Sequence, residues 1–301
     1  MSNLPKHLYW AIEHPAERSL EALYWRKVRT LALDFSIPVM MLNATDTPRI
    51  FKGLRISNQK LTELHAAEKQ QVQDQLDALQ ALFIKKYHIQ TSYKMITDKP
   101  FFEAAVNLVK QQENAWIIAQ SSAKIGIPNI VWQLLRNCPI PTYIAKEKNW
   151  RMPLNILAAI DPTHENDKQA ALDHKILATA TEIANLCQAK LHIIHCYSPL
   201  IMADHEIQKS LEKIYRENSH EIIDAYDIDS DNVHLIAGDP AEKIEQLCQT
   251  LDIDLVIMGA VSRNSLERIF IGTRLKQCYP FLRQMYFCSK LNKNDATIKP
   301  A

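Results

Sequence analysis

Two stretches 148 residues apart carry the same pattern, an apolar run closed by an acid and then a proline. His7 to Pro15 reads HLYWAIEHP and Leu154 to Pro162 reads LNILAAIDP, with Glu13 and Asp161 in matching positions. Late in each copy a Leu-Arg pair precedes a short apolar run: Leu135-Arg136 before PIPTYIA, and Leu282-Arg283 before MYFCS, the arginines 147 apart. A repeat of half the 301-residue chain is the strongest constraint on architecture here, because each copy is long enough to bury a core of its own. It predicts two tandem domains, 1–148 and 149–301, joined by the polar segment Lys146 to Pro153.

Within each copy strand and helix patterns alternate. In the second, Asp167 to Ala189 spaces Leu172, Ile176, Ala180, Ile183 and Cys187 along one helical face. A strand is predicted at Lys190 to Cys196, a helix at His205 to Tyr226, a strand at Val233 to Ala237 and a helix at Ala241 to Thr250. Gly238-Asp239-Pro240 breaks the chain before that last helix, with Pro240 suited to its first turn. Asp254 to Met258 (DLVIM) has no polar alternation, as expected of a strand covered on both faces. The first copy reads likewise: helices near Ala16 to Asp34, Leu61 to Lys86 and Phe101 to Gln112, with strands at Ile37 to Leu42, Ile89 to Ile96 and Ala115 to Ala119. The order βαβαβαβαβ predicts α/β domains, each an open, five-stranded, mostly parallel sheet with helices on both faces.

Composition removes several classes of function. At 47% hydrophobic and 23% charged residues the chain is too apolar to be disordered. A net charge of +1 provides no global attraction to nucleic acid or anionic lipid. The charge is uneven, however, with 19 basic against 13 acidic residues up to Asn149 and 16 against 21 beyond it. No apolar run approaches the roughly 18 residues of a membrane span, and no signal-peptide pattern opens the chain. The six cysteines form no CxxC pair and lie in apolar segments, which suits reduced thiols and a cytoplasmic protein. Neither nucleic acid nor membrane is expected as a partner.

The sharpest local signal is DLVIMGAVSRNSLERIFIGT, residues Asp254 to Thr273. A buried strand ends at Gly259, a loop follows, and Gly272-Thr273 opens a helix over Leu275 to Leu282. Backbone amides at a loop and a helix N-terminus converge on an anion. Asp161, at the end of the first strand, falls at the same carboxyl edge of the sheet, where open α/β sheets bind ligands. Ser262 donates from its hydroxyl and backbone, and Arg263 is suited to pair with a phosphate oxygen. His14 and His164 stand beside the two acids as candidates for a metal or an acid–base pair. His192 and His195, three apart on a strand, point to opposite faces and read as core histidines.

These residues resemble the universal stress protein family, and within it the tandem-domain E type. Nucleotide-binding members carry Gly-x2-Gly-x9-Gly-Ser/Thr after the fourth strand and an Asp at the end of the first. Here the pattern is Gly259-x2-Ser262-x9-Gly272-Thr273 with Asp161. The resemblance implies a ligand site at Asp161, Gly259, Ser262, Arg263, Gly272 and Thr273, with ATP and Mg as the candidate cofactor in the second domain alone. From Gln120 to Arg136 is 16 residues where Gly259 to Arg283 is 24, so the first copy lacks the phosphate loop, and Glu13 replaces its aspartate. The family pairs its last strands across a dimer interface, which predicts that Pro141 to Ala145 and Met285 to Ser289 pair within this one chain as an internal pseudo-dimer; two chains associating as a homodimer is a further expectation. The implied function is a non-catalytic stress-response module, linked to starvation or DNA damage, that binds a small ligand or protein partners. The alternative is an ATP-binding protein with slow ATPase activity in the second domain.

Overall fold

The structure is a computed structural model that describes residues 4–12, 18–44, 57–97, 100–112, 114–121, 129–146, 150–162, 167–197, 205–259 and 284–288. The first half runs β1 (His7–Ile12), α1 (Arg18–Asp34), β2 (Val39–Ala44), α2 (Asn58–Tyr87), β3 (Thr91–Ile96), α3 (Phe101–Val109), β4 (Ala115–Ser121), α4 (Asn129–Asn137) and β5 (Thr142–Lys146). The second runs β6 (Asn155–Ile160), α5 (Asp167–Cys187), β7 (Lys190–Tyr197), α6 (His205–Ile223), β8 (Val233–Ala237), α7 (Pro240–Thr250), β9 (Leu255–Gly259) and β10 (Gln284–Cys288).

Among the described residues ten strands form one sheet, in the order β3-β2-β1-β4-β5-β10-β9-β6-β7-β8. Each half is parallel throughout and has its first strand beside its fourth. The halves meet where β5 and β10 pair antiparallel, with the Tyr143 and Tyr286 backbones opposite each other. Parallel units of the same strand order joined by an antiparallel pair are related by an approximate local two-fold, so the expected internal pseudo-dimer is what forms. The joint also gives each apolar last strand a partner, and among the described residues β3 and β8 are the edges.

Burial follows strand position. The central strands β1 and β6 are buried along almost their whole length, whereas the edge strand β3 alternates buried and exposed. Two apolar layers cover the two faces, and both run through the joint. One holds Leu8, Trp10, Val28 and Phe83 together with Tyr143, Ile156, Leu177 and Ile193. The other holds Ile117 and Leu134 together with Leu157, Ile194, Ile244 and Val256. Helices α1, α2, α5 and α6 therefore lie on one side, and α3, α4 and α7 on the other.

Several predicted elements start or stop at different residues, for a shared reason. Helices α1, α2 and α5 are each followed by a residue with φ of about 50–57° (Ser36, His88, Gln188), and the next residue's N–H turns back to the helix. These returns are Ile37 to the Ala32 carbonyl (3.0 Å), Ile89 to Phe83 (3.1 Å) and Ala189 to Ala184 (2.8 Å). Ile37 and Ile89, predicted to open strands, are consumed in closing helices, and β2 and β3 begin two residues later. At its other end α2 gains three residues because Ser57 accepts a hydrogen bond from the Lys60 N–H at 3.3 Å. The predicted break before α7 forms as read: Asp239 accepts from the N–H groups of Ala241 (2.9 Å) and Glu242 (3.3 Å), with Pro240 opening the helix. Among the described residues no helix is long and apolar enough to cross a membrane.

Candidate functional site

In each half the strand order takes the chain from the first strand towards one edge of the sheet and from the fourth towards the other, so the carboxyl ends of these neighbours form a topological switch point, the place where open α/β sheets bind ligands. In the second half they are β6 and β9, paired in register with Ala159 opposite Met258. One step beyond that pair the two strands end at Ile160 and Gly259, and Asp161 follows. Asp161 and Gly259, singled out in the sequence, are therefore brought to neighbouring strand ends. Ser262, Arg263, Gly272 and Thr273, with the loop and helix predicted around them, lie outside the described residues, as do Glu13, His14 and His164.

The peptide unit between Ile160 and Asp161 is held at both of its polar atoms. The Ile160 carbonyl lies 3.4 Å from His195 Nδ1, on β7. The Asp161 N–H donates to Asp173 Oδ1, on α5, at 3.2 Å. His195 is 2% and Asp173 5% exposed, so both contacts are formed away from bulk water, where polar groups need partners. A carbonyl only accepts, so His195 presents a protonated Nδ1 to it.

On Gly259, the space a β-carbon would occupy is already taken by α5. An ideal Cβ there would stand 2.7 Å from Leu172 Cδ2 and 3.3 Å from its Cγ. The glycine thus admits α5 against the end of β9.

Aromatic rings stand at the end of β7, the strand beside β6. The Tyr197 and Tyr215 rings stack at 4.9 Å between centroids and 29° between planes, and the His195 ring lies 5.8 Å from Tyr215. Burial, with the Glu212 carboxylate adding to it, raises the Tyr197 hydroxyl above its ordinary range, so it stays a neutral donor. The sequence offered no signal for Tyr197, Tyr215 and Asp173, and His195 reads there only as a core histidine. The usable signal for His195 was its strand register, since it is the β7 residue level with the last residue of β6.

His192 points the other way from His195, as predicted, and meets His234 of β8, with Nδ1 and Nε2 3.1 Å apart. Burial lowers His192 to about 4, and the neighbouring His234 adds to the effect. Among the described residues no three His, Cys, Asp or Glu are grouped so as to hold a metal ion.

The first half carries a partial copy of this arrangement. Asn43 of β2 is level with Ile12 as His195 is with Ile160. Its Nδ2 donates to the Ile12 carbonyl at 3.0 Å, and the residue is fully buried. Segment 122–128, where the first copy's loop was predicted to be missing, lies outside the described residues.

The chain is similar to known proteins in sequence and in fold. Residues 152–278 match the model of the universal stress protein family. Over 182 residues the chain is 28% identical to a universal stress protein E homolog of Haemophilus influenzae, covering 57% of this chain and 56% of that one. It is 25% identical over 163 residues to universal stress protein E of Escherichia coli K12, covering 50% of this chain and 51% of that one. The matches thus span about half the length of these relatives. Solved structures agree in fold across both halves. A functionally unknown protein from Pseudomonas aeruginosa PAO1 superposes with a TM-score of 0.71 at 18% identity, covering 98% of this chain and 95% of that one. A universal stress protein from Archaeoglobus fulgidus superposes with a TM-score of 0.62 at 13% identity, covering 96% and 98%.

Proposed function

Because residues 152–278 match the universal stress protein family, we propose that this chain is a member of it, a cytoplasmic stress-response module that acts by binding. Its ligand is a nucleotide bound at the switch point of the second half, and protein partners read the occupied state. The first half serves to complete the paired sheet. The observation that carries this reading is the placement of Asp161 beside Gly259 at the carboxyl edge where β6 and β9 part. An acid there suits the hydroxyls of a ribose or the amine of a base, and the stacked Tyr197–Tyr215 pair provides planar apolar surface nearby. The sequence from Gly259 to Thr273 supplies the glycine spacing and the cation, Arg263, that a phosphate group needs.

The test is isothermal titration of the full chain with Mg-ATP, alongside Asp161→Ala. Micromolar binding that is lost in the variant is expected. No heat at millimolar Mg-ATP overturns the nucleotide reading. Steady phosphate release that Asp161→Ala abolishes overturns the non-catalytic one.

A further inference from the structure

The two contacts on the Ile160–Asp161 peptide do more than satisfy buried groups. Carbonyl and N–H of one peptide unit point in opposite directions, and each is met by a buried side chain from a different element, His195 on β7 and Asp173 on α5. A strand's last peptide is ordinarily where backbone order decays, because it has lost ladder bonds on one side. Here its rotation about the chain is blocked at both ends, and the residue that emerges from this fixed plane is Asp161. We infer that His195 and Asp173 are positioning residues that together clamp this peptide and so set the direction in which Asp161 leaves the sheet. This deepens the binding reading above and rests on it only for the identity of the ligand.

The first half argues that the clamp is a device of the fold and not an accident of one contact. Asn43 stands at the same register and donates to the equivalent carbonyl, that of Ile12. Two chemically different side chains thus perform one task at pseudo-equivalent sites, and what they share is a nitrogen donor reaching the last carbonyl of the first strand. The first half also leaves a mark of how tightly this spot is enclosed. Asn43 is fully buried, and among the described residues its Oδ1 has no hydrogen-bond partner, whereas its amide nitrogen donates to Ile12.

The equivalence supplies the test, because Asn is the residue that the other half already uses. Amide exchange of the uncomplexed full chain, read at Asp161 and at Leu157 and Ala158 in the middle of β6, is compared for wild type, His195→Leu, His195→Asn and Asp173→Asn. His195→Leu is expected to speed exchange at Asp161 about fivefold or more, the effect of losing one hydrogen bond of ordinary net strength, with the mid-strand amides unchanged. His195→Asn is expected to restore protection, and Asp173→Asn, a weaker acceptor of the same shape, to speed exchange at Asp161 whatever the folding yield of the leucine variant. Unchanged exchange at Asp161 in both His195→Leu and Asp173→Asn overturns the inference. So does equal acceleration along all of β6, which would mark a merely structural role, or failure of asparagine to rescue. Titration of the same proteins with Mg-ATP separates the two claims, since a wild type that binds no nucleotide removes the ligand assignment while the exchange pattern alone judges the clamp.

Discussion

At the end of β1 the carbonyl of Ile12 is met by an asparagine, and at the end of β6 that of Ile160 is met by a histidine. The two halves share strand order, register and this tether, yet they differ in what is built above it. In the second half the tether is joined by Asp173 and bordered by stacked tyrosines. The first half spends its aromatic residues on packing: Phe83 of the 30-residue α2 lies 6.2–6.4 Å from the rings of Trp10, Trp25 and Tyr87. Arg29 sits 5.3 Å and 4.9 Å from the Trp25 and Tyr87 ring centres. Among the described residues, one copy has the features of a candidate site and the other those of a buttress. Because both apolar layers run through the joint, the buttress and the site are expected to unfold together.

Phe83→Ala breaks the buttress and should give the largest effect. The side chain is fully buried among three rings, so its removal is expected to cost about 3–5 kcal/mol. Urea unfolding followed by tryptophan fluorescence and by far-ultraviolet dichroism should show one shifted transition. Two separate transitions would show that the halves are energetically independent.

Lys27, on α1 of the first half, probes the joint. It is 3% exposed, and its ammonium donates to the carbonyl of Lys146 at the end of β5. Burial lowers it to about 7, the Lys146 charge adding to this and Asp254 of the second half opposing it. A lysine held below its ordinary value of 10.5 binds fewer protons folded than unfolded between these two values. Stability therefore rises with pH from about 7 to 10.5, and below about 7 the penalty is fully present. Lys27→Met should raise stability at pH 7 by about 1–3 kcal/mol and leave it little changed near pH 10.5. Denaturant midpoints of the two proteins across that range test it, and parallel curves would contradict the buried-lysine account.

The smallest effect is expected from His192, which sharpens the contrast between the two histidines of β7. It stays neutral in the fold down to about 4, whereas an unfolded histidine protonates near 6.5. Stability should therefore fall as pH drops from 6.5 towards 4, and His192→Gln should flatten that decline without altering exchange at Asp161. A decline of unchanged slope would place its origin elsewhere.

Much of the fold was legible before any coordinates. The half-length repeat, the alternation of patterns and the Asp239-Pro240 start of α7 rest on interactions within a few residues, and the structure reproduces them. Ile37 and Ile89 were misread because strand propensity is a weak preference, which the hydrogen bonds that close α1 and α2 override. At the candidate site, the strand-end places of Asp161 and Gly259 were legible because a strand end is a local event. His195 was not, because its importance lies in a bond to a residue 35 positions earlier. It read as a core histidine, and it is one, with one nitrogen at work.

By itself, the sequence determined the elements, their order, their doubling and the two chain positions where strands end at an acid and a glycine. These follow from hydrophobic periodicity, capping and turn chemistry, which act over one or two turns of chain. Only the tertiary structure decided that Asn43 and His195 are counterparts, that Asp173 completes the hold on Asp161, and that Lys27 is buried at the joint between the halves. Register across neighbouring strands and removal from water depend on groups far apart in the chain. Each is a sum over a folded neighbourhood that no local window of residues contains.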